Sequence, residues 1–252
     1  MISSTSTVAL RAVSVSVTGR GHRSEGRPCE DASMHLRARG VHAIAVADGA
    51  GSAARAEVGA TVAVRTLRKF FKRRFHRLRR MPEENLAHAI VAPVITALRA
   101  RARREGGRLG DYATTLLFAA TDGEILLCGQ LGDGRIALRR RNGELSALFA
   151  PVKGEHLNET EFVTQTDPAK RMQCWRADLT KVLLTDVVLM SDGAEESLWQ
   201  RREERFSPAL ASLLYWLATT RDAEAVRGLR GNLYDVLATK TQDDLSIAWL
   251  RL

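Results

Sequence analysis

Cysteine is scarce: Cys29, Cys128 and Cys174 are the only three in 252 residues, odd in number and in no C-x-x-C pair. A disulfide framework or a cysteine zinc site is therefore not expected. No His pair at helical spacing supplies a zinc alternative. No apolar run approaches the roughly 20 residues that cross a bilayer. Residues 1–10 are polar and Ser/Thr-rich, without the basic-then-apolar layout of a signal peptide,. The expectation is a cytoplasmic, monomeric protein with no membrane span. Internal repeats and low-complexity linkers are also missing, so residues 1–252 are read as one domain. A chain of this length can bury a sizeable core without cross-links.

The formal net charge is +9, and it is local. Residues 65–108 hold 14 Lys/Arg against 3 Asp/Glu, whereas the rest of the chain holds 24 against 26. The excess belongs to one segment and not to the whole surface. Within it, Arg65–Arg80 carries nine basic residues. Three readings stand: a solvated outer helix face, a docking surface for an acidic partner or phosphoprotein, or contact with nucleic acid or an anionic membrane. No aromatic residues interleave on the basic face and no DNA-binding motif is present, so nucleic acid is not the expected partner.

Periodicity gives an α+β order. Val13–Val17 alternates as a half-buried strand, and Val41–Ala47 is a buried strand that stops at Asp48-Gly49. Glu57 to Arg80 predicts a helix with Leu67, Phe71, Phe75 and Leu78 on one stripe. A second helix is expected over Glu83–Glu105, kinked or split at Pro93. Further strands are predicted at Thr114–Ala120, Ile125–Gln130, Arg135–Arg140, Leu145–Phe149, Val182–Met190 and Leu245–Leu250. Asp122-Gly123 and Asn142-Gly143 are hairpin turns, which implies antiparallel sheet. Ser207–Ala218 and Asp222–Ala238 read as helices. Residues 151–179 read as a loop or flap, and Glu30-Asp31 as part of an N-terminal turn.

Aspartates recur where apolar strands end: Asp48, Asp133, Asp192, and Asp243 with Asp244. A strand end projects a side chain to the rim of a sheet, and a following glycine lets a ligand approach the backbone. A single Asp-Gly is ordinarily just a turn, and spacing alone does not show that these residues meet. If they do, they need counter-charge: two carboxylates about 4 Å apart repel by roughly 4 kcal/mol at an effective dielectric near 20. Oxygen ligands of this kind suit Mg²⁺ or Mn²⁺.

The stretches CEDA (Cys29–Ala32), AVADGAGS (Ala45–Ser52), ATT (Ala113–Thr115), LGDGR (Leu131–Arg135), LMSDG (Leu189–Gly193) and QDDLSIAWL (Gln242–Leu250) occur in this order. As a set they resemble the metal-dependent protein phosphatases, the type 2C serine/threonine phosphatases. GRPCEDA, ADGAGSA and NETEFVT (Asn158–Thr164) are similar to a bacterial branch of that family. The resemblance implies a four-layer αββα sandwich, two antiparallel β-sheets flanked by helix pairs. It implies two Mn²⁺ or Mg²⁺ ions, with a third at a looser site. Asp48 would bridge the two, with the Gly49 carbonyl on one and Asp192 and Asp243 on the other. Glu30 and Asp31 would hold metal-bound water or a metal, and Asp133 and Glu196 match the third site. The implied chemistry is attack on phosphorus by a metal-activated water, on phosphoserine or phosphothreonine of a protein substrate, with a cognate Ser/Thr kinase as counterpart.

Two positions depart from the family pattern. Where many members carry a phosphate-gripping Arg this chain has Gly26, and Arg27 and Arg23 are the nearby candidates. Where some place a general-acid His it has Ala50, and His22 is the candidate. The alternative reading is a catalytically weak pseudophosphatase that binds phosphoprotein or acts as a regulatory module.

Overall fold

The computed structural model describes residues 10–150 and 160–252. In chain order the elements are β1 (Arg11–Val17), α1 (Arg20–Ser24), β2 (Asp31–Ala38), β3 (Val41–Asp48), α2 (Ala56–Leu78), α3 (Glu83–Glu105), β4 (Leu116–Thr121), β5 (Ile125–Leu131), β6 (Arg135–Arg140) and β7 (Leu145–Ala147). They continue with α4 (Pro168–Arg171), β8 (Gln173–Asp178), β9 (Leu184–Met190), α5 (Asp192–Leu198), β10 (Trp199–Gln200), β11 (Arg205–Phe206), α6 (Pro208–Thr219), α7 (Asp222–Asp235) and β12 (Leu245–Arg251).

Ten strands form two five-stranded antiparallel sheets, ordered β1-β12-β9-β6-β7 and β2-β3-β4-β5-β8. Alternation along each strand sends side chains to opposite faces, and both faces are needed here because apolar residues fill three layers. Ile44, Val46, Leu117 and Ala119 of one sheet meet Ile136, Val187, Leu189 and Ala248 of the other between the sheets. Outside the β2–β8 sheet, Leu67, Phe71 and Phe75 of α2 and Ile90, Val94 and Leu98 of α3 pack on Ala45, Ala47 and Phe118. Outside the other sheet, Leu210, Leu214, Leu229 and Leu233 of α6 and α7 cover Val13, Val15, Ile247 and Trp249. Helix, sheet, sheet, helix is the four-layer order that the family resemblance implied. Phe71 is fully buried with its ring 5.5 Å from that of Phe118. Phe71→Ala is expected to cost about 3–5 kcal/mol, read as a lowered urea midpoint at unchanged m-value.

Two expectations are corrected and one is narrowed. Of the kink or split expected at Pro93, the split does not occur, since Pro93 lies within α3; burial of Leu86, Ile90, Val94 and Leu98 along one face outweighs the single lost backbone bond,. Glu30-Asp31 is no isolated turn, because Asp31 opens β2, whose Met34 and Leu36 point inward. Of the expected 151–179 flap, residues 151–159 lie outside the described residues, as do Asn158 and Glu159 of NETEFVT. The remainder contains α4 and the edge strand β8, joined to β5 by backbone pairing. Most of β8 is only half-buried, so it carries no alternating apolar signature to betray it.

Candidate metal and catalytic site

Antiparallel topology explains why distant acidic residues meet. The last residue of one strand lies beside the first of its neighbour, and the register pairs Asp31 at the start of β2 with Asp48 at the end of β3. β9 ends at Met190, two residues before Asp192, and β12 begins at Leu245, two residues after Asp243. Asp133 occupies the turn from β5 to β6. All these ends lie at one rim of the sandwich. There Glu30, Asp48, Asp133, Asp192 and Asp243 line a single cavity of about 310 Å³, together with His22, Gly49, Ala50, Thr115, Thr160 and Phe162.

Backbone groups fix the acidic side chains. Gly193 N–H donates to Asp192 Oδ1 at 2.6 Å, and Asp244 N–H donates to Asp243 Oδ1 at 2.8 Å. The glycines of the two Asp-Gly pairs are needed for close packing. A Cβ on Gly193 would lie 2.2 Å from the Asp244 carbonyl oxygen, and one on Gly49 would lie 2.7 Å from the Ala56 backbone. Thr115 holds Asp48 in place: its hydroxyl accepts from Asp48 N–H at 2.9 Å, while its N–H donates to the Asp48 carbonyl at 2.8 Å.

The electrostatics are strained by like charge. Burial lifts the Asp48 carboxyl well above the usual carboxylate range, and the charges of Asp31, Asp192 and Asp243 add to the effect. Asp192 is pushed up to about 6, first by burial and then by Asp243 and Asp133. Asp31 is pushed up to about 8 by burial, with Asp244 and Asp192 contributing, against the Ser191 hydroxyl that donates to its Oδ2 at 2.7 Å. Asp243 is raised by burial in the same way.

Two buried oxygens in this region, Glu30 Oε2 and Asp31 Oδ1, have no hydrogen-bond partner among the described residues. Unpartnered buried carboxylate oxygens are costly, and with the surrounding acidic set they are a donor group suited to hard divalent cations. Among the described residues no three His, Cys, Asp or Glu side chains are already gathered closely enough to hold one ion.

The remaining sequence candidates divide. Glu196 is exposed and lines an adjoining cavity of about 540 Å³. That cavity shares His22 and Asp243 with the acidic one but not Asp133. Arg27 lines the adjoining cavity and donates from Nη2 to Glu30 Oε1 at 2.5 Å. Arg23 lines neither; its guanidinium lies over the Tyr234 ring, 4.2 Å from the centroid. His22 stands at the wall between the two cavities, with Nδ1 2.9 Å from Asp244 Oδ2 and Nε2 3.9 Å from Glu30 Oε2. Cys29, next to Glu30, is no nucleophile, since burial and the charge of Asp31 push its thiol up.

Asp244 was grouped with Asp243 at a strand end in the sequence, but no role was assigned to it. It is 2% exposed and accepts from Gly19 N–H at 2.6 Å, Glu30 N–H at 2.5 Å and His22. It ties the segment carrying His22 and Glu30 to the start of β12. The doubled acid Asp243-Asp244 was the signal, but two adjacent carboxylates with opposite duties cannot be told apart by spacing. Thr160 was likewise missed as a wall residue; its hydroxyl donates to Asp133 Oδ2 at 2.5 Å.

Comparison with known proteins agrees with this fold. The family model "Protein phosphatase 2C" matches residues 18–237. Serine/threonine-protein phosphatase 3 of Escherichia coli K12 is 29% identical over 170 residues, 65% of this chain and 66% of its own length. The crystal structure of a bacterial serine phosphatase superposes with TM-score 0.67 at 15% identity, covering 96% of this chain and 98% of the other. RsbX in complex with magnesium superposes with TM-score 0.56 at 13% identity, covering 96% and 95%. At such identities the two structures establish the fold. The family match spans most of the chain: it belongs to the protein phosphatase 2C family of serine/threonine phosphatases. Among the described residues no helix is long and apolar enough to cross a membrane.

Proposed function

We propose that this chain hydrolyses phosphoserine or phosphothreonine on a protein substrate with the help of two divalent cations, Mn²⁺ or Mg²⁺. The observation that carries the reading is the meeting of carboxylates from five chain segments in one cavity, with buried oxygens of Glu30 and Asp31 lacking a hydrogen-bond partner among the described residues. Asp48, the Gly49 carbonyl, Asp192 and Asp243 would hold the ions, with Glu30 and Asp31 beside them. Asp133 and Glu196 are the candidates for a third. The magnesium in the RsbX structure supports the choice of a hard cation. When bound, such ions neutralise phosphoryl oxygens and lower the pKa of water toward neutrality.

The chain's own residues supply the rest. His22, its Nδ1 on buried Asp244 and its ring on the cavity wall, would hold at Nε2 the proton that the departing seryl or threonyl oxygen takes up. Arg27 is the better placed of the two arginines to meet the phosphate, because it lines the adjoining cavity and is already anchored on Glu30. Ala50 leaves the wall beside Gly49 without a titratable group.

Purified protein given a phosphothreonine peptide and Mn²⁺ is expected to release phosphate, and to stop when chelator is added. Release that is indifferent to chelator overturns the two-ion reading. Tight binding of the phosphopeptide without release would mark a binding module of the same fold.

A further inference from the structure

The strongest charged feature outside the site is the outer surface of α2 and α3. The apolar stripe of α2 faces the sheet, so its cations from Arg65 onward point outward. Arg79 is engaged with Asp122 and Glu124. Arg65, Lys69, Lys72, Arg73 and Arg77 are exposed, and none has a carboxylate partner within 4.0 Å among the described residues. On α3, Arg99, Arg103 and Arg104 are exposed in the same way, while Arg101 pairs with Glu105.

The patch starts beside the site. Ala56, the first residue of α2, packs against the Gly49 backbone. Arg55 reaches the Glu105 carbonyl at 3.3 Å, so the C-terminal end of α3, with Arg103 and Arg104, lies at the same end as the start of α2. At 1.5 Å per residue, Arg65 is ~13 Å along α2 from Ala56 and Arg77 a further ~18 Å,. An extended peptide covers that span at ~3.3 Å per residue.

We propose that this face is a docking track for an acidic segment of the phosphoprotein substrate, lying beyond the phosphorylated residue that enters the cavity. The inference rests on the phosphatase reading of the site. Three observations favour a flexible acidic chain. The cations start at the cavity end of the helix pair and lead away from it. They spread over a wide arc of a convex helix, which a flexible chain can follow and a flat bilayer touches only in part. Among the described residues the large exposed apolar ones, Leu183, Tyr215, Tyr234 and Val236, all lie outside α2 and α3, so the face offers no fully exposed large apolar side chain to insert into a lipid interface. Docking there raises the local concentration of the phosphorylated residue at the cavity without changing the chemical step.

The test uses the full chain and the charge-reversed protein Arg65→Glu, Lys69→Glu, Lys72→Glu, Arg73→Glu, none of which belongs to the site. A fluorescein-labelled oligoglutamate peptide without phosphate is titrated by anisotropy. The native protein is expected to bind it in a salt-sensitive manner, and the reversed protein at least ~10-fold more weakly. A phosphothreonine peptide with an acidic extension is expected to lose its kcat/KM advantage over the unextended peptide in the reversed protein, while a small aryl phosphate is turned over equally by both. Equal oligoglutamate binding by the two proteins overturns the proposal. So does tighter capture by phosphatidylglycerol vesicles or duplex DNA than by oligoglutamate at the same salt. Because the anisotropy arm needs no turnover, a failed phosphatase reading shows as absent hydrolysis, and a failed docking track as unchanged binding.

Discussion

Asp48→Asn is expected to lower kcat/KM on a phosphothreonine peptide by at least ~10³-fold, about 4 kcal/mol of transition-state stabilisation. Asp48 is the junction of the cluster: it faces Asp31, Asp192 and Asp243, and lies within hydrogen-bonding reach of Asp192. Asparagine keeps the size and one oxygen but removes the charge that would attract two cations. Asp192→Asn and Asp243→Asn are expected to act in the same direction. The same substitutions are expected to raise the thermal midpoint of chelated protein, because each removes a source of like-charge repulsion. For a chain of this size about 1 kcal/mol corresponds to roughly 2–4 °C. Activity lost while stability is gained is the signature of a residue kept for function. Steady-state kinetics beside a melting curve read both, and native turnover in all three variants would remove the proposed site.

In chelator, the protein is expected to lose stability as pH rises from about 4 to about 8. Asp31 is pushed up to about 8 and Asp192 to about 6, while their ordinary value is 3.8. Between those values the folded state binds more protons than the unfolded chain, so each upward step in pH favours unfolding. The stabilisation is complete below the ordinary carboxylate range and is lost as pH passes through the raised values. Asp222 and Asp178, held low in the fold, work in the opposite sense, and their contribution is lost only as pH falls toward 3.8 and below. Adding Mn²⁺ or Mg²⁺ at pH 8 is expected to restore the midpoint. A ligand at 100 times its dissociation constant stabilises by about 2.7 kcal/mol, or ~5–10 °C for a domain of this size. At pH 5, where protons already occupy the cluster, the same addition is expected to shift the midpoint far less. A cation shift that is the same at both pH values would mean that these carboxylates are not the binding groups. In Asp31→Asn protein the alkaline loss of stability is expected to shrink, which assigns the slope to the cluster.

Much of the architecture was legible in residue order. The alternation in Val13–Val17, the apolar run Val41–Ala47 and the turn pairs Asp122-Gly123 and Asn142-Gly143 specify strands and antiparallel connection directly, and the structure places them so. The buried stripe of α2 followed from helical spacing alone. β8 escaped because an edge strand is held by backbone bonds, which every residue type can make. β2 escaped because its acidic first residue, Asp31, resembles a turn and only Met34 and Leu36 carry its inward face.

By itself, the sequence determined that aspartates terminate apolar strands, that six short stretches stand in a family's order, and that positive charge concentrates in one helix pair. Tertiary structure alone decided that β2 begins beside the end of β3, so that Asp31 and Asp48 face each other across 17 residues of chain. It also decided that Asp243 faces the cavity while its neighbour Asp244 turns to bind the backbone of Gly19 and Glu30. The division has a physical cause. Periodicity records which side of an element is dry, a local property of the chain. Convergence of charges depends on which strands become neighbours, and that is set by how three apolar layers pack at once.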